Sequence, residues 1–171
     1  MPEDRPQFTR PATWEDVKTV ARYFHESGVE YALVGGYALA AHGFNRFTED
    51  IDVLVQPSAE NSRRWIIALG RLPDAAAKEL ATQSDVFADD QRYAVRVNDE
   101  FTVDVMPAVA GLTWDAMRAH IMTLDLDGIP LKVLDLNGLL KTKQGARPKD
   151  RMDAELLERA VAALGARTPD D

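Results

Sequence analysis

The stretch Leu33-Val34-Gly35-Gly36, followed after thirteen intervening residues by Asp50-Ile51-Asp52-Val53, decides the fold of this 171-residue chain. Its first part is an apolar run, typical of a buried strand, that leads into a glycine pair opening a helix. Glycines at such a turn let a phosphate approach the backbone, and the free amides at the helix start favour an anion. In the second part, Asp50 and Asp52 are two residues apart on a strand, so their side chains share one face while Ile51 and Val53 point into the core.

This pair of motifs predicts a nucleotide site rather than an ordinary turn. Two carboxylates on one sheet face repel each other unless a cation lies between them, and oxygen ligands of this kind suit Mg²⁺ or Mn²⁺. Amides of Gly35 and Gly36 for phosphate, with Asp50 and Asp52 for metal, are the parts that phosphoryl or nucleotidyl transfer needs. Separately, Gly-Gly is as readily a plain strand–helix turn, and Asp-x-Asp is commonly a solvated strand edge.

Outward from this motif, strands alternate with helices but also form hairpins. Asn98-Asp99-Glu100 and Asp127-Gly128 are the two hairpin turns that the pattern indicates. The fold class is therefore predicted as α/β (α+β), with a small mixed β-sheet flanked by helices and a C-terminal helical portion. The predicted strands are 31–34, 51–55, 92–97, 101–106, 121–126 and 129–134, and the predicted helices are 13–28, 37–42, 58–72, 114–120, a helix from about 136, and 150–164.

The length predicts one domain over 13–164, with a core at about 28–110 and a C-terminal hairpin and helices at about 111–164. Residues 1–12 are predicted as an extended arm and 165–171 as a polar tail. The chain has no cysteine, which excludes disulfides, thiol catalysis and cysteine-ligated metals. A net charge of −8 disfavours non-specific nucleic-acid binding. With no long apolar run and no signal-like start, we expect a cytoplasmic protein without a membrane partner.

The two motifs resemble the signature of the nucleotidyltransferase superfamily that shares the DNA polymerase β-like fold. Val34-Gly35-Gly36 and Asp50-Ile51-Asp52-Val53 match it at each defined position, although the second glycine is often serine in that superfamily. The resemblance implies a third carboxylate on a later strand, which joins the metal ligands and accepts a proton. Asp104, in the middle of a predicted strand, is the best candidate. Its weaker rivals, which lie in turn-like sequence, are Asp89, Asp90, Asp99 and Glu100.

Further stretches resemble the small AbiEii-like group of bacterial nucleotidyltransferase proteins. Arg46-Phe47-Thr48-Glu49-Asp50 is similar to that group's approach to the metal motif, and the resemblance continues at Leu139–Lys143 and Arg147–Asp153. It implies that Lys143, with Lys141 as the alternative, contacts the triphosphate, and that Arg46 and Thr48 belong to the nucleotide site. The alternative for Arg46 and Thr48 is that they simply brace a loop, and Asp150 and Asp153 are more typical of helix-start carboxylates than of ligands.

The resemblance implies a metal-dependent enzyme that moves a nucleoside monophosphate from a nucleoside triphosphate (NTP) to an acceptor hydroxyl and releases pyrophosphate. The acceptor stays open between a small molecule, a tRNA 3′ end and a protein side chain. Because the chain is short, a homodimer is one way to complete the acceptor pocket. The alternatives are a non-catalytic nucleotide-binding or toxin–antitoxin interaction protein with the same fold, and a phosphoesterase that uses the same carboxylates.

Overall fold

The computed structural model describes residues 9–83, 85–88, 93–144 and 148–165, the last range by backbone alone at 148, 149 and 165. Several sequence-based predictions lie outside the described residues. They concern most of the N-terminal arm, the rival carboxylates Asp89 and Asp90, the Arg147 and Lys149 side chains, and nearly all of the polar tail.

A six-stranded mixed sheet organises the molecule, with strand order β3-β4-β2-β1-β8-β7. Strand β2 runs antiparallel to β1 and parallel to β4, while β8 runs parallel to β1. The hairpins β3–β4 and β7–β8 are antiparallel, as predicted. The strands are β1 Tyr31–Val34, β2 Ile51–Val55, β3 Val95–Asn98, β4 Thr102–Met106, β7 Ile121–Leu126 and β8 Ile129–Leu134, and a separate two-stranded sheet joins β5 Ala108–Val109 to β6 Leu112–Thr113.

The helices begin where the sequence supplies caps. Thr13 and Asp16 form a capping box at the start of α1, and Ser58 and Asp135 accept backbone amide hydrogen bonds at the starts of α3 and α5. The α-helices are α1 Trp14–Glu26, α2 Gly35–Ala41, α3 Ala59–Leu69, α4 Trp114–Met117, α5 Leu136–Thr142 and α6 Pro148–Gly165, with 3₁₀ helices at Ala76–Thr82 and Arg118–His120.

The core lies between the sheet and the helices that cover it. Helix α1 packs on α3 and β8 through its buried apolar stripe, which includes Val17, Val20 and Phe24. Strand β1 is buried along its whole length. Helix α6 packs on α5, and α5 in turn contacts α2, the helix that follows β1. The last part of the described chain therefore lies near the turn between β1 and α2. Within the described ranges, no helix combines the length and the apolar character that crossing a bilayer requires.

Candidate active site

Two aspartates from neighbouring parallel strands lie side by side at the centre of the site. Strands β2 and β4 pair so that Asp52 is the direct partner of Asp104. The flanking residues Val53, Val103 and Val105 are buried, so alternation leaves the two carboxylates on one face. The predicted third carboxylate is therefore placed next to the Asp-x-Asp motif by backbone pairing.

The rivals of Asp104 that the structure describes have other partners. Asp99 is buried in the β3–β4 turn, where its carboxylate accepts hydrogen bonds from the backbone amides of Asp74, Ala76 and Glu100. Glu100 forms an exposed ion pair with Arg10 at 3.6 Å. Both acidic groups hold turns and loops together and do not face the carboxylates of the site.

Asp50 lies just before β2 and is more accessible than Asp104, with 39% of its side chain exposed against 12%. The preceding loop is tied to it, because the Thr48 hydroxyl donates a hydrogen bond to the Asp50 carbonyl at 3.3 Å. The loop therefore fixes the backbone of the first aspartate while leaving its carboxylate open to solvent.

The glycine pair is required by close packing against this motif. Gly35 has a φ of +72°, and a Cβ at this position would overlap the Asp52 Oδ2 atom. A Cβ on Gly36 would lie 2.8 Å from both Cβ and Oγ1 of Thr48. Gly35 and Gly36 thus let the start of α2 approach Asp52 and the loop 42–50 between α2 and β2, called here the Thr48 loop.

The close packing around Asp52 changes the pKa of its carboxyl group. Burial raises the pKa of the Asp52 carboxyl to about 7, with further raising contributions from the neighbouring Asp104 and Asp50. Arg96 opposes the shift, since its positive charge lowers the same pKa. Burial and the two neighbouring carboxylates therefore favour the protonated form of Asp52 more than Arg96 disfavours it.

Arg96 is the site residue that the sequence analysis missed. Its Nε donates to Asp104 Oδ1 at 2.9 Å and its Nη2 donates to Asp104 Oδ2 at 3.1 Å, a bidentate pair, while Nη2 is also 3.6 Å from Asp50 Oδ2. Arg96 is the direct cross-strand partner of Asp104 in the β3–β4 hairpin. Pairing residues across the predicted hairpin turn was the signal that could have found it.

Behind the carboxylates, an ion-pair network joins the Thr48 loop to the C-terminal helices. Arg46 pairs with Asp153, which is only 2% exposed, and Lys143 Nζ is 3.3 Å from Asp153 Oδ2 and 3.9 Å from Asp150 Oδ1. Asp150 lies in the first turn of α6, as predicted for a helix-start carboxylate. Asp153 instead holds two cations, so its predicted role as a simple helix-start carboxylate is too narrow.

A cavity of about 230 Å³ opens between these two groups of charges. Arg46 Nε, which is buried, has no hydrogen-bond partner among the described residues. Lys143 lines the cavity, whereas Lys141 is exposed on α5 and does not. The lining residues are Gly36, Leu39, Arg46, Phe47, Thr48, Glu49, Asp50, Asp52, Lys143 and Asp153.

The donor chemistry suits a hard divalent cation, because the three carboxylates supply oxygen ligands and repel one another. Among the side chains that the structure describes, however, no three acidic or imidazole groups stand together in ligating geometry. Arg96 bonds both oxygens of Asp104 and approaches Asp50. Metal binding by the three aspartates would therefore require their carboxylates to turn from Arg96 toward a shared cation.

Comparison with known proteins gives one family and a set of solved structures. The model of the AbiEii family, described as a nucleotidyl transferase toxin of a type IV toxin–antitoxin system, matches residues 20–129. A candidate nucleotidyltransferase from Thermotoga maritima is 12% identical, with a TM-score of 0.52, 95% of this chain covered and 96% of that one. The lincosamide antibiotic adenylyltransferase LnuA, in its lincomycin-bound structure, is 12% identical, with a TM-score of 0.50 and coverages of 86% and 98%. No curated protein matches the sequence significantly. At these identities, the two structures establish the nucleotidyltransferase fold alone.

Proposed function

Since the chain belongs to the AbiEii family of nucleotidyl transferases, we propose that it moves a nucleoside monophosphate from an NTP to an acceptor hydroxyl and releases pyrophosphate. One observation carries this proposal: the in-register pairing of Asp52 with Asp104 beside the Gly35 turn. That pairing brings together the carboxylates that a transferase needs, in a chain whose family and fold are those of nucleotidyltransferases.

In this proposal the cavity receives the triphosphate. Lys143 and Arg46 line it and are held in place by Asp153, and Arg46 keeps a buried Nε donor for which no described residue is a hydrogen-bond partner. Cationic donors of this kind neutralise phosphate charge and orient the phosphates. Gly36 and Thr48, which pack closely against each other, form the wall next to them.

Asp50, Asp52 and Asp104 would hold Mg²⁺ or Mn²⁺, which when bound supplies charge neutralisation at the phosphates and favours ionisation of the acceptor hydroxyl. Asp104 would accept the proton of that hydroxyl. The acceptor oxygen then forms a bond to the α-phosphorus as the bond to the β-phosphate oxygen breaks, and pyrophosphate leaves with its electron pair. The chain's own residues therefore hold the triphosphate and receive one proton.

The experiment is a transfer assay with each of the four α-³²P-labelled NTPs, with Mg²⁺ or EDTA. The acceptor panel contains total tRNA, cell-extract protein, and small molecules that include a lincosamide and an aminoglycoside. We expect label in one acceptor class with the wild type and Mg²⁺, and a loss of at least about 100-fold with Asp104→Asn, because a transition-state group is removed. Asp125→Asn, which removes an exposed carboxylate from β7, is the matched control.

Other outcomes point to the other functions. Release of free nucleoside monophosphate or phosphate without transfer would indicate a phosphoesterase. Thermal stabilisation by an NTP with no transfer in any acceptor class would favour a nucleotide-binding interaction protein. If no NTP raises the melting temperature in the presence of Mg²⁺, and Asp52→Asn changes nothing, the enzyme proposal fails. Sedimentation at increasing protein concentration tests the proposed homodimer.

A further inference from the structure

Arg96 contacts two of the three carboxylates on which the proposed function depends. Its bidentate pair uses both oxygens of Asp104, and the same guanidinium reaches Asp50 at 3.6 Å. A divalent cation bound by these aspartates would need the same oxygen atoms. The guanidinium and a metal ion therefore have overlapping ligands.

The position of Arg96 allows it to move. Strand β3 is an edge of the six-stranded sheet, and 60% of the Arg96 side chain is exposed. An arginine has several rotatable bonds, and a turn about them can carry the guanidinium several ångströms without disturbing the strand. No backbone rearrangement is needed to release Asp104 and Asp50.

The charges require a new partner for the released guanidinium. A divalent cation beside Arg96 repels it, whereas the phosphates of a nucleotide in the adjoining site attract it. A planar guanidinium matches phosphate oxygens as well as it matches a carboxylate, with two parallel N–H donors. Asp50, which lines the cavity and also faces Arg96, connects the two locations.

We propose that Arg96 exchanges partners: it occupies Asp104 and Asp50 in the absence of ligands, competes with a divalent cation for them, and binds nucleotide phosphate once the cation has displaced it. This inference rests on the carboxylate metal site of the proposed function. Arg96 thereby weakens metal binding by the protein alone and strengthens nucleotide binding by the metal-loaded protein, so that metal and nucleotide bind together.

The test measures binding, not turnover. The loss of the free Mn²⁺ signal in electron paramagnetic resonance gives the Mn²⁺ affinity of the full-length wild type, Arg96→Gln and Arg96→Lys. Removing one positive charge near a divalent ion should tighten Mn²⁺ binding by about tenfold in Arg96→Gln. Arg96→Lys, which keeps the charge but loses the bidentate pair, should tighten it by about two- to threefold and remains informative if the glutamine variant folds poorly.

The second measurement is calorimetric titration of the non-hydrolysable analogue αβ-methylene-ATP at saturating Mn²⁺. Arg96→Gln should bind it about tenfold more weakly than the wild type, because one charge-assisted contact is lost. Arg64→Gln is the matched control: it removes an exposed arginine that pairs with Glu60 on α3, and both affinities should stay at the wild-type values.

Each result has one consequence. Unchanged or weaker Mn²⁺ binding in Arg96→Gln overturns the competition, and unchanged analogue binding overturns the transfer to phosphate. Failure of the proposed function looks different, since the wild type would then bind no Mn²⁺, or would bind it equally well after Asp52→Asn. Wild-type binding that Asp52→Asn abolishes and Arg96→Gln leaves unchanged would overturn only the inference about Arg96.

Discussion

Replacing Asp52 by asparagine should stabilise the metal-free protein at alkaline pH. Burial, with the neighbouring carboxylates, raises the pKa of Asp52 to about 7 from a reference value of 3.8. Between these values the folded protein keeps a proton that the unfolded chain has released. The stabilising effect of that proton is fully present below about pH 3.8 and is lost as the pH rises through about 7.

The pKa shift sets the size of the effect. One pH unit corresponds to about 1.4 kcal/mol, and the shift spans about three units, so the full linkage is at most about 4 kcal/mol. Solvent screening reduces this value, and we expect a gain of about 2 kcal/mol for Asp52→Asn at pH 8 relative to its effect at pH 5. The asparagine side chain has nearly the same shape as a protonated Asp52 and stays neutral over this pH range.

Urea unfolding followed by tryptophan fluorescence at pH 5, 6, 7 and 8, in EDTA, measures this difference. Asp125→Asn tests whether the loss of any one negative charge from an acidic chain gives the same gain. A gain that is equal at pH 5 and pH 8, or equal in both variants, would refute the assignment to a raised pKa at the buried Asp52 carboxyl. Added Mg²⁺ should then stabilise the wild type at pH 8 and leave Asp52→Asn unchanged.

Three further predictions follow from contacts elsewhere in the site and its supports. Asp153→Asn leaves Arg46 and Lys143 without their shared buried carboxylate, and should lower the free energy of unfolding by about 3 kcal/mol in urea titrations; a loss below about 1 kcal/mol would contradict a buried ion pair. Gly36→Ala pushes a Cβ against Thr48 in the cavity wall, so NTP binding measured by calorimetry should weaken by at least about tenfold while the fold persists by circular dichroism. Asp99→Ala removes the acceptor of three backbone amides and should cost about 2 to 3 kcal/mol in thermal unfolding. Its NTP affinity should match the wild type, and a parallel loss of affinity would show that the β3–β4 turn matters to the site.

Local sequence patterns were enough to predict the mixed sheet, both hairpins and the start of α1. Each depends on neighbours within a few residues, such as Thr13 with Asp16, or Asp127 with Gly128, where both residues have positive φ. The 3₁₀ helix at Ala76–Thr82 was not predictable in this way, because the Asp99 carboxylate from a distant turn binds the amide of Ala76. The two-residue strands β5 and β6 are too short to show a period.

The site residues likewise fall into those that local sequence or family resemblance indicated and those that depend on distant contacts. The motif spacing indicated Asp50 and Asp52, and family resemblance indicated Asp104, which the structure places beside Asp52. Arg96 was missed because its importance comes from cross-strand register, which propensity does not specify. The pairing of Arg46 with Asp153 could not be read from either residue's surroundings, since it depends on how α6 packs against the Thr48 loop.

The register of β2 against β4 has a consequence for how this protein can change over evolution. The spacing between Asp52 and Asp104 is a single interstrand step of about 4.8 Å, maintained by backbone pairing and independent of the length of chain between them. Insertions after β2 and before β3 can therefore remodel the surface without moving the carboxylates. Deleting one residue within β4 would turn Asp104 to the opposite face. The loops around this pair of aspartates can therefore change in length, whereas the strands that carry the pair cannot.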